Sequence, residues 1–425
     1  MAGGRGCGHD SFGGAIKNLA GWLVRPHNGG MKTIAMQDSL IVGGGLAGAL
    51  CALTLASVGA RCVVFEKSRF EDVLARDRRT TAINSGAVPL LKELGVWDSM
   101  ASGAGLIRRI EIISDGGRCT FDDALHDLQP FGYIVDNAVW RRILKDAIDA
   151  HPLIQWVEET GITGFTSDAT GITAMDTAGQ SWRAQLLIAA DGRESGVRAL
   201  AGIDAHRHVY PESALVGTVR HAQPHHETAF EIFLPTGPLA LLPLKDEHAS
   251  CFVWTEPTNH AKARLEGGHA LFLKALSAQC GGVLGDFDLV VAPQLWGLTR
   301  ILASTYVQDR VVLLGDAAHA IHPIAGQGFN LTLRDLVALR RALQPQVHAG
   351  LPLKDALSLY NRLRQVDAVV MAEATHVLNT LFLNAGMVPA AMRRVGLRML
   401  NRLPVLKKPF VRHATGVSRL ARLGF

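Results

Sequence analysis

The sequence predicts an α/β fold with a mostly antiparallel sheet inserted into it and helices at its C-terminal end. Three observations predict it. A glycine-rich run directly follows a short apolar strand near residue 40, the texture changes to alternating segments between residues 205 and 295, and the pattern is helical after Gly328. With 425 residues, 48% apolar and 19% charged, the chain can bury a large core and suits two or three units of structure.

Composition excludes several classes. Cys7, Cys51, Cys62, Cys119, Cys251 and Cys280 lie far apart with no CxxC pair, which supports neither a zinc knuckle nor a disulfide scaffold and fits a reducing compartment. A net charge of +5 is too weak to argue for nucleic acid. Residues 1–35 are rich in glycine without the apolar core of a secretory signal and read as a disordered leader.

Each element follows from local chemistry. Ser39 to Ala60 carries no charge and by length alone matches a membrane span, with a Gly44-xxx-Gly48 spacing. The glycines, however, cluster right after the apolar run Leu40-Ile41-Val42, and Arg61 leads into Cys62-Val63-Val64-Phe65-Glu66, so the segment reads as strand, turn, helix, strand. Leu186 to Gly192 and Arg310 to Asp316 each read as a buried strand ending in an acidic turn. Ala214 to Val219, Ala229 to Phe233 and Ala249 to Trp254 alternate like strands of an antiparallel sheet. His221, His225 and His226, set among Gln223 and Pro224, read as a solvated hairpin tip rather than a metal site.

Gly43-Gly44-Gly45-Leu46-Ala47-Gly48 fits G-x-G-x-x-G. Gly43 permits the tight turn, Gly45 lets backbone approach a pyrophosphate, and Gly48 lets helix and strand pack closely, leaving a helix N-terminus for the phosphates. Glu66 ends the next strand, where a carboxylate accepts from ribose hydroxyls; an acid there points to FAD or NAD rather than NADP. No second dinucleotide fold follows, since Gly281 to Gly285 has the wrong spacing.

Two further acidic turns, Asp191-Gly192-Arg193-Glu194-Ser195-Gly196-Val197-Arg198 and Gly315-Asp316-Ala317-Ala318-His319, separate FAD from NAD. With them the chain resembles the FAD-dependent aromatic hydroxylases, whose D-G-x-x-S-x-x-R and G-D-A-A-H-x-x-x-P-x-x-G-x-G-x-N motifs it matches from about residue 38 onward. Within that group it is most similar to the ubiquinone-biosynthesis hydroxylases, through Asp77 to Ile83, Leu94 to Trp97, Gly237 to Leu244 and His322 to Leu331.

The resemblance implies a para-hydroxybenzoate hydroxylase-like fold and a set of site residues. Gly43, Gly45, Leu46, Ala47, Gly48, Glu66 and Lys67 would hold the adenosine diphosphate part of FAD. Gly315 and Asp316 would meet the ribityl chain, and Pro323, Gly326, Gln327 and Gly328, with Phe329 and Asn330, would line the flavin ring. The helix starting near Asn330 would point its positive end at the ring edge that becomes anionic on reduction. Arg79 would lie near the cofactor; Arg141 reads equally as a cofactor cation or a surface arginine. Asp191 reads either as a cap of the Ser195 turn or as a contact near the pyrophosphate and the nicotinamide cleft.

The implied reaction is ring hydroxylation of a polyprenylated phenol or benzoquinol by a flavin C4a-hydroperoxide, with O2 and transiently docked NADPH or NADH. No nucleophile, metal or general base is assigned, although activating a phenol calls for a base or acceptor. Hydroxylation of a soluble aromatic and a non-catalytic flavin-binding scaffold are the alternatives. The expected partition is an FAD-binding domain at 36–115, 135–204 and 291–345, a substrate sheet at 116–134 and 205–290, and a helical region at 346–425. Nine Lys and Arg and no acid follow Glu373, and Met392, Val395, Met399, Leu400 and Leu403 recur at helical spacing opposite Arg394, Arg398 and Arg402. This tail reads either as a basic amphipathic helix on an anionic membrane, placing a cytoplasmic protein at the inner face of the cytoplasmic membrane, or as a helix packed on the enzyme. Other ubiquinone-biosynthesis proteins are possible partners of the same surface.

Overall fold

The computed structural model describes residues 37–114, 117–123, 130–322, 326–349 and 353–383. The basic tail and Pro323 lie outside them.

The described residues build three sheets. The first has eight strands. Its parallel part runs β18 (Val311–Leu313), β11 (Ser181–Ala189), β1 (Gln37–Val42), β2 (Cys62–Phe65), β8 (Ile154–Val157), edged by β17 (Val307–Gln308). A meander of β9 (Ile162–Asp168) and β10 (Gly171–Asp176) extends β11. The helix α1 (Leu46–Ala56) links β1 to β2 and is buried nearly all round, with Leu50, Cys51 and Ala52 at 0% exposure. That burial explains a stretch without charge as long as a membrane span; no helix among the described residues is long and apolar enough to cross a membrane.

The second sheet also has eight strands, in the order β19 (His319–Ala320), β16 (Phe287–Ala303), β12 (Ala205–His221), β15 (Ala249–Pro257), β14 (Gly237–Pro243), β13 (Thr228–Leu234), β5 (Arg109–Ser114), β6 (Gly117–Asp122). It is antiparallel except where β13 pairs with β5. One face packs under α7 (Thr258–Glu266) and α8 (His269–Cys280). A third sheet, β3 (Thr80–Asn84), β7 (Gly132–Asp136), β4 (Gly105–Ile107), bridges the first two. Short helices α2 (Phe70–Arg76), α3 (Val88–Glu93) and α4 (Trp97–Ala101) fill the connections, α5 (Asn137–Asp149) follows β7, and α6 (Gly196–Leu200) follows β11. The chain then forms α9 (Gln327–Ala349) and α10 (Leu353–Leu383).

Two expected boundaries move. β5 precedes residue 115 yet pairs with β13 and β6, so the second sheet starts earlier, and β16 runs unbroken across residue 290, paired with β12 as far as Ala303. Hydrogen-bonded register, invisible in local texture, sets both. The histidine group also differs from a solvated tip: His221 and His225 are buried, bonded to Ser250 Oγ at 3.0 Å and the Leu244 carbonyl at 3.0 Å, and only His226 is exposed.

Candidate active site

Four turns meet at the C-terminal ends of adjacent parallel strands. Gly43 follows β1, Glu66 follows β2, Asp191 follows β11, and Gly315-Asp316 follows β18. Backbone bonds lock them side by side: Gly43 N–H to the Phe65 carbonyl at 2.8 Å, Ala190 N–H to Val42 at 2.8 Å, and Leu314 N–H to Ala189 at 2.9 Å. This crevice, where strand order reverses, is where open α/β sheets bind ligands.

The glycines divide the labour of the first turn. Gly43 has φ +103°, a left-handed conformation that glycine adopts freely. A β-carbon on Gly48 would overlap the Gly43 carbonyl oxygen, so α1 can lie this close to β1 only with glycine there. On Gly45 a β-carbon would meet nothing within 4 Å, and α1 starts on Gly45 with no capping side chain and no acid in its first turn. Its free N–H groups open into a small cleft lined by Gly44, Gly45, Leu46, Arg141, Lys145 and Trp156. Uncapped N–H groups, open space and two cations fit the pyrophosphate of FAD. Leu46 is buried, Ala47 packs toward Gly315, and Lys67 is exposed beside Glu66. The Glu66 carboxylate accepts from Gly44 N–H at 2.8 Å and Ser68 N–H at 3.0 Å, which holds it at the rim of the same cleft.

Arg79 and Arg141 come together on Asp77, a residue sequence reasoning passed over although it opens the motif that contains Arg79. Arg79 Nε donates at 2.8 Å and Arg141 Nε at 3.1 Å. Burial opposes ionisation of Asp77, but the two guanidiniums outweigh it and hold the carboxyl below the usual range. Arg79 also stacks over Trp296 of the second sheet, 4.7 Å from the ring centroid.

Asp191 caps α6: its Oδ2 accepts from Val197 N–H at 3.2 Å, while Ser195 Oγ accepts from Arg198 N–H at 3.0 Å. Its other oxygen, Oδ1, is buried without a partner. Arg198 ties this turn to the next through the Ala317 carbonyl at 2.9 Å. Asp316 pairs with Arg193 at 3.1 Å, both side chains 43% exposed, so the pair is weak and its carboxylate stays open to a ligand.

The flavin turn is anchored from below. His319 Nε2 lies 2.6 Å from Asp335 Oδ2, and Asp335 Oδ1 accepts from Arg364 Nε at 2.6 Å, all buried. Asp367 joins Arg364 to Arg334. Asn330 at the start of α9 donates to the Ala82 and Gly326 carbonyls at 3.0 Å and accepts from Asn84 N–H at 2.9 Å, fixing the turn against β3. Gly326 has φ +62°, Gln327 is buried, Gly328 has open space around it, and Phe329 meets Trp140 edge-on at 5.1 Å. Burial, with His376 adding to it, pushes His322 down to about 4, so it is a neutral imidazole at pH 7; its ring packs edge-on against Tyr210 at 5.0 Å.

Fold and turns together define an FAD-dependent monooxygenase. The FAD binding domain family matches residues 36–371. Among solved structures, p-nitrophenol 4-monooxygenase PnpA from Pseudomonas putida superposes with a TM-score of 0.75 at 20% identity, over 91% of this chain and 98% of that one. HpxO of Klebsiella pneumoniae, in complex with FAD, gives 0.72 at 20% identity over 90% and 100%. Both likenesses speak to the fold alone. Ubiquinone hydroxylase UbiL of Rhodospirillum rubrum is 36% identical over 388 residues, 90% of this chain and 90% of that protein. The 3-demethoxyubiquinol 3-hydroxylase of Escherichia coli is 33% identical over 390 residues, 89% and 98%. The chain belongs to the ubiquinone-biosynthesis hydroxylase family of FAD-dependent monooxygenases.

Proposed function

We propose that this protein hydroxylates the ring of a polyprenylated phenol or benzoquinol in ubiquinone synthesis, using O2 and reduced nicotinamide. The observation that carries the reading is the meeting of the four turns at one sheet edge, facing a second sheet whose near face is largely apolar. The names of the relatives favour a quinol-type substrate.

FAD, when bound, supplies the hydride acceptor and the activation of dioxygen. The chain's own residues bind and orient. The α1 N-terminus with Arg141 neutralises the pyrophosphate, Glu66 and Lys67 meet the adenosine end, and Asp316 accepts from ribityl hydroxyls. Gly326 to Asn330 and Pro323 set the ring, with the positive end of α9 toward the edge that gains charge on reduction. The second sheet holds the aromatic substrate and excludes water. With one dinucleotide site, NADH or NADPH docks transiently near the Asp191 turn. The tail after Glu373 lies on an anionic membrane surface, each cation contributing about 1 kcal/mol, which puts a cytoplasmic enzyme at the inner face of the membrane that dissolves its substrate and leaves the same surface for other proteins of the synthesis.

The purified protein should be yellow with FAD; a colourless protein that gains no flavin spectrum on adding FAD overturns the reading. Deleting the gene should cause a ubiquinone precursor lacking one ring hydroxyl to accumulate, identified by mass spectrometry, and unchanged ubiquinone with no accumulating precursor counts against it.

A further inference from the structure

The two faces of the second sheet differ. Leu215, Phe230, Ile232, Leu239 and Trp254 seal one of them beneath α7 and α8. Across the other runs a row in register over five strands: Val216, Val253, Ala240, Glu231 and Ile112. Side chains alternate along a strand, so Glu231, between Phe230 and Ile232, stands on this second face. Its neighbours reach the flavin turn. Ala229, two residues earlier, and Ile112, directly opposite, share a cluster with Ala82. Asn330 binds the Ala82 carbonyl, and a β-carbon on Gly326 would come within 2.9 Å of the Ala82 β-carbon.

An acid in an apolar row is costly unless paired. Glu231 is part-buried, and no described residue donates a hydrogen bond to its carboxylate. Burial alone pushes it up to about 7; no charged group contributes. The charges on elements packed around it are engaged elsewhere: Arg108 with Asp123 and Glu227, Arg300 with Glu373 of α10, and His376 of α10 with Tyr210. The Tyr360 hydroxyl, another phenolic relay candidate, donates to the Leu313 carbonyl instead.

Building on the function proposed above, we infer that Glu231 is the base that takes the proton of the substrate's phenolic hydroxyl. The proton moves from the ring oxygen to a Glu231 carboxylate oxygen, and the O–H electron pair stays on the substrate as phenolate, enriching the ring carbons that accept the oxygen atom. That atom comes from O2, and reduced nicotinamide supplies the two electrons. When the hydroxylated carbon loses its own proton and aromaticity returns, the ring oxygen is reprotonated, and Glu231 releases its proton to solvent. A base with pKa near the working pH is matched to this role.

The test compares FAD-loaded wild type with Glu231→Gln and Glu231→Asp, using 2-prenylphenol, NADH and O2. In Glu231→Gln, FAD retention and flavin reduction should stay within about twofold while hydroxylated product falls about a hundredfold and hydrogen peroxide replaces it. The wild-type rate should rise with pH through about 7, as the carboxylate ionises, and this rise should vanish in Glu231→Gln; Glu231→Asp should recover part of the rate. Wild-type rate and pH profile in Glu231→Gln overturn the inference. A second readout needs no turnover. Near pH 8, binding of 4-nitrophenolate to oxidised holoprotein should take up about one proton in wild type and none in Glu231→Gln, because two adjacent anions share a proton. Uptake without any hydroxylation of prenylated phenols would leave Glu231 in place and overturn the proposed function; no uptake in wild type would overturn the role of Glu231.

Discussion

Gly48 lies so close to Gly43 that a β-carbon on it would overlap the Gly43 carbonyl oxygen. The obstacle is backbone, which cannot swing aside. Gly48→Ala should cost about 2–3 kcal/mol of stability through overpacking, read as a lower urea midpoint, and should release FAD. Gly45→Ala is the contrast. Open space surrounds that position, so stability should change by less than about 0.5 kcal/mol while FAD retention drops at least tenfold, because the methyl group fills the approach of the phosphates. Equal FAD affinity in Gly45→Ala and wild type, measured by fluorescence titration, would show that the cofactor passes elsewhere.

Asp316 is half-exposed and held only by Arg193. Asp316→Ala should therefore leave the thermal midpoint of the FAD-free protein nearly unchanged while weakening FAD retention about tenfold, the worth of one good hydrogen bond to a charged acceptor. Unchanged retention on gel filtration would remove Asp316 from the ribityl contacts.

Asp335 joins His319 of the flavin turn to Arg364 of α10 inside the core. Burial opposes its ionisation, and His319 and Arg364 overcome that and hold the carboxyl below its ordinary value. Replacing it with Asn leaves Arg364 buried beside one acid instead of two, a loss of about 3–5 kcal/mol. Because the folded value is depressed, the carboxylate's contribution is complete above the ordinary carboxyl range near 4 and is lost as pH falls through the lower folded value. Urea unfolding should thus show a wild-type advantage over Asp335→Asn at pH 7 that shrinks below about pH 4; a constant difference would place the effect in packing.

The tail prediction rests on charge. Changing Arg394, Arg398 and Arg402 to Gln should cut co-sedimentation with vesicles of one-third anionic lipid at least tenfold and restore it little at low salt, since about 3 kcal/mol of attraction is removed. Unaltered co-sedimentation would favour a tail packed on the enzyme.

Much of the crevice was legible because its requirements are local. A strand followed by glycines at fixed spacing, or by an acid and a turn, announces itself within a dozen residues, and Gly43, Glu66, Asp191 and Asp316 all end strands of one sheet. Other acids gave no such sign. Asp77 was hidden behind the two arginines it binds, Asp335 looks like any acid on a helix, and Glu231 is one polar residue in an apolar alternation. His221 and His225 read as solvated from their polar neighbours, yet Ser250 and the Leu244 carbonyl, far along the chain, bury and satisfy them.

The sequence by itself determined which segments become strand, turn and helix and that a dinucleotide cofactor belongs at the first turn, because backbone sterics and side-chain periodicity act over a few residues. Only the tertiary structure decided what each carboxylate does. Asp77 binds two arginines, Asp335 is locked between a histidine and an arginine, and Glu231 faces an apolar surface with no partner. The surroundings of an ionisable group come from strands and helices distant in sequence, and those surroundings fix its charge.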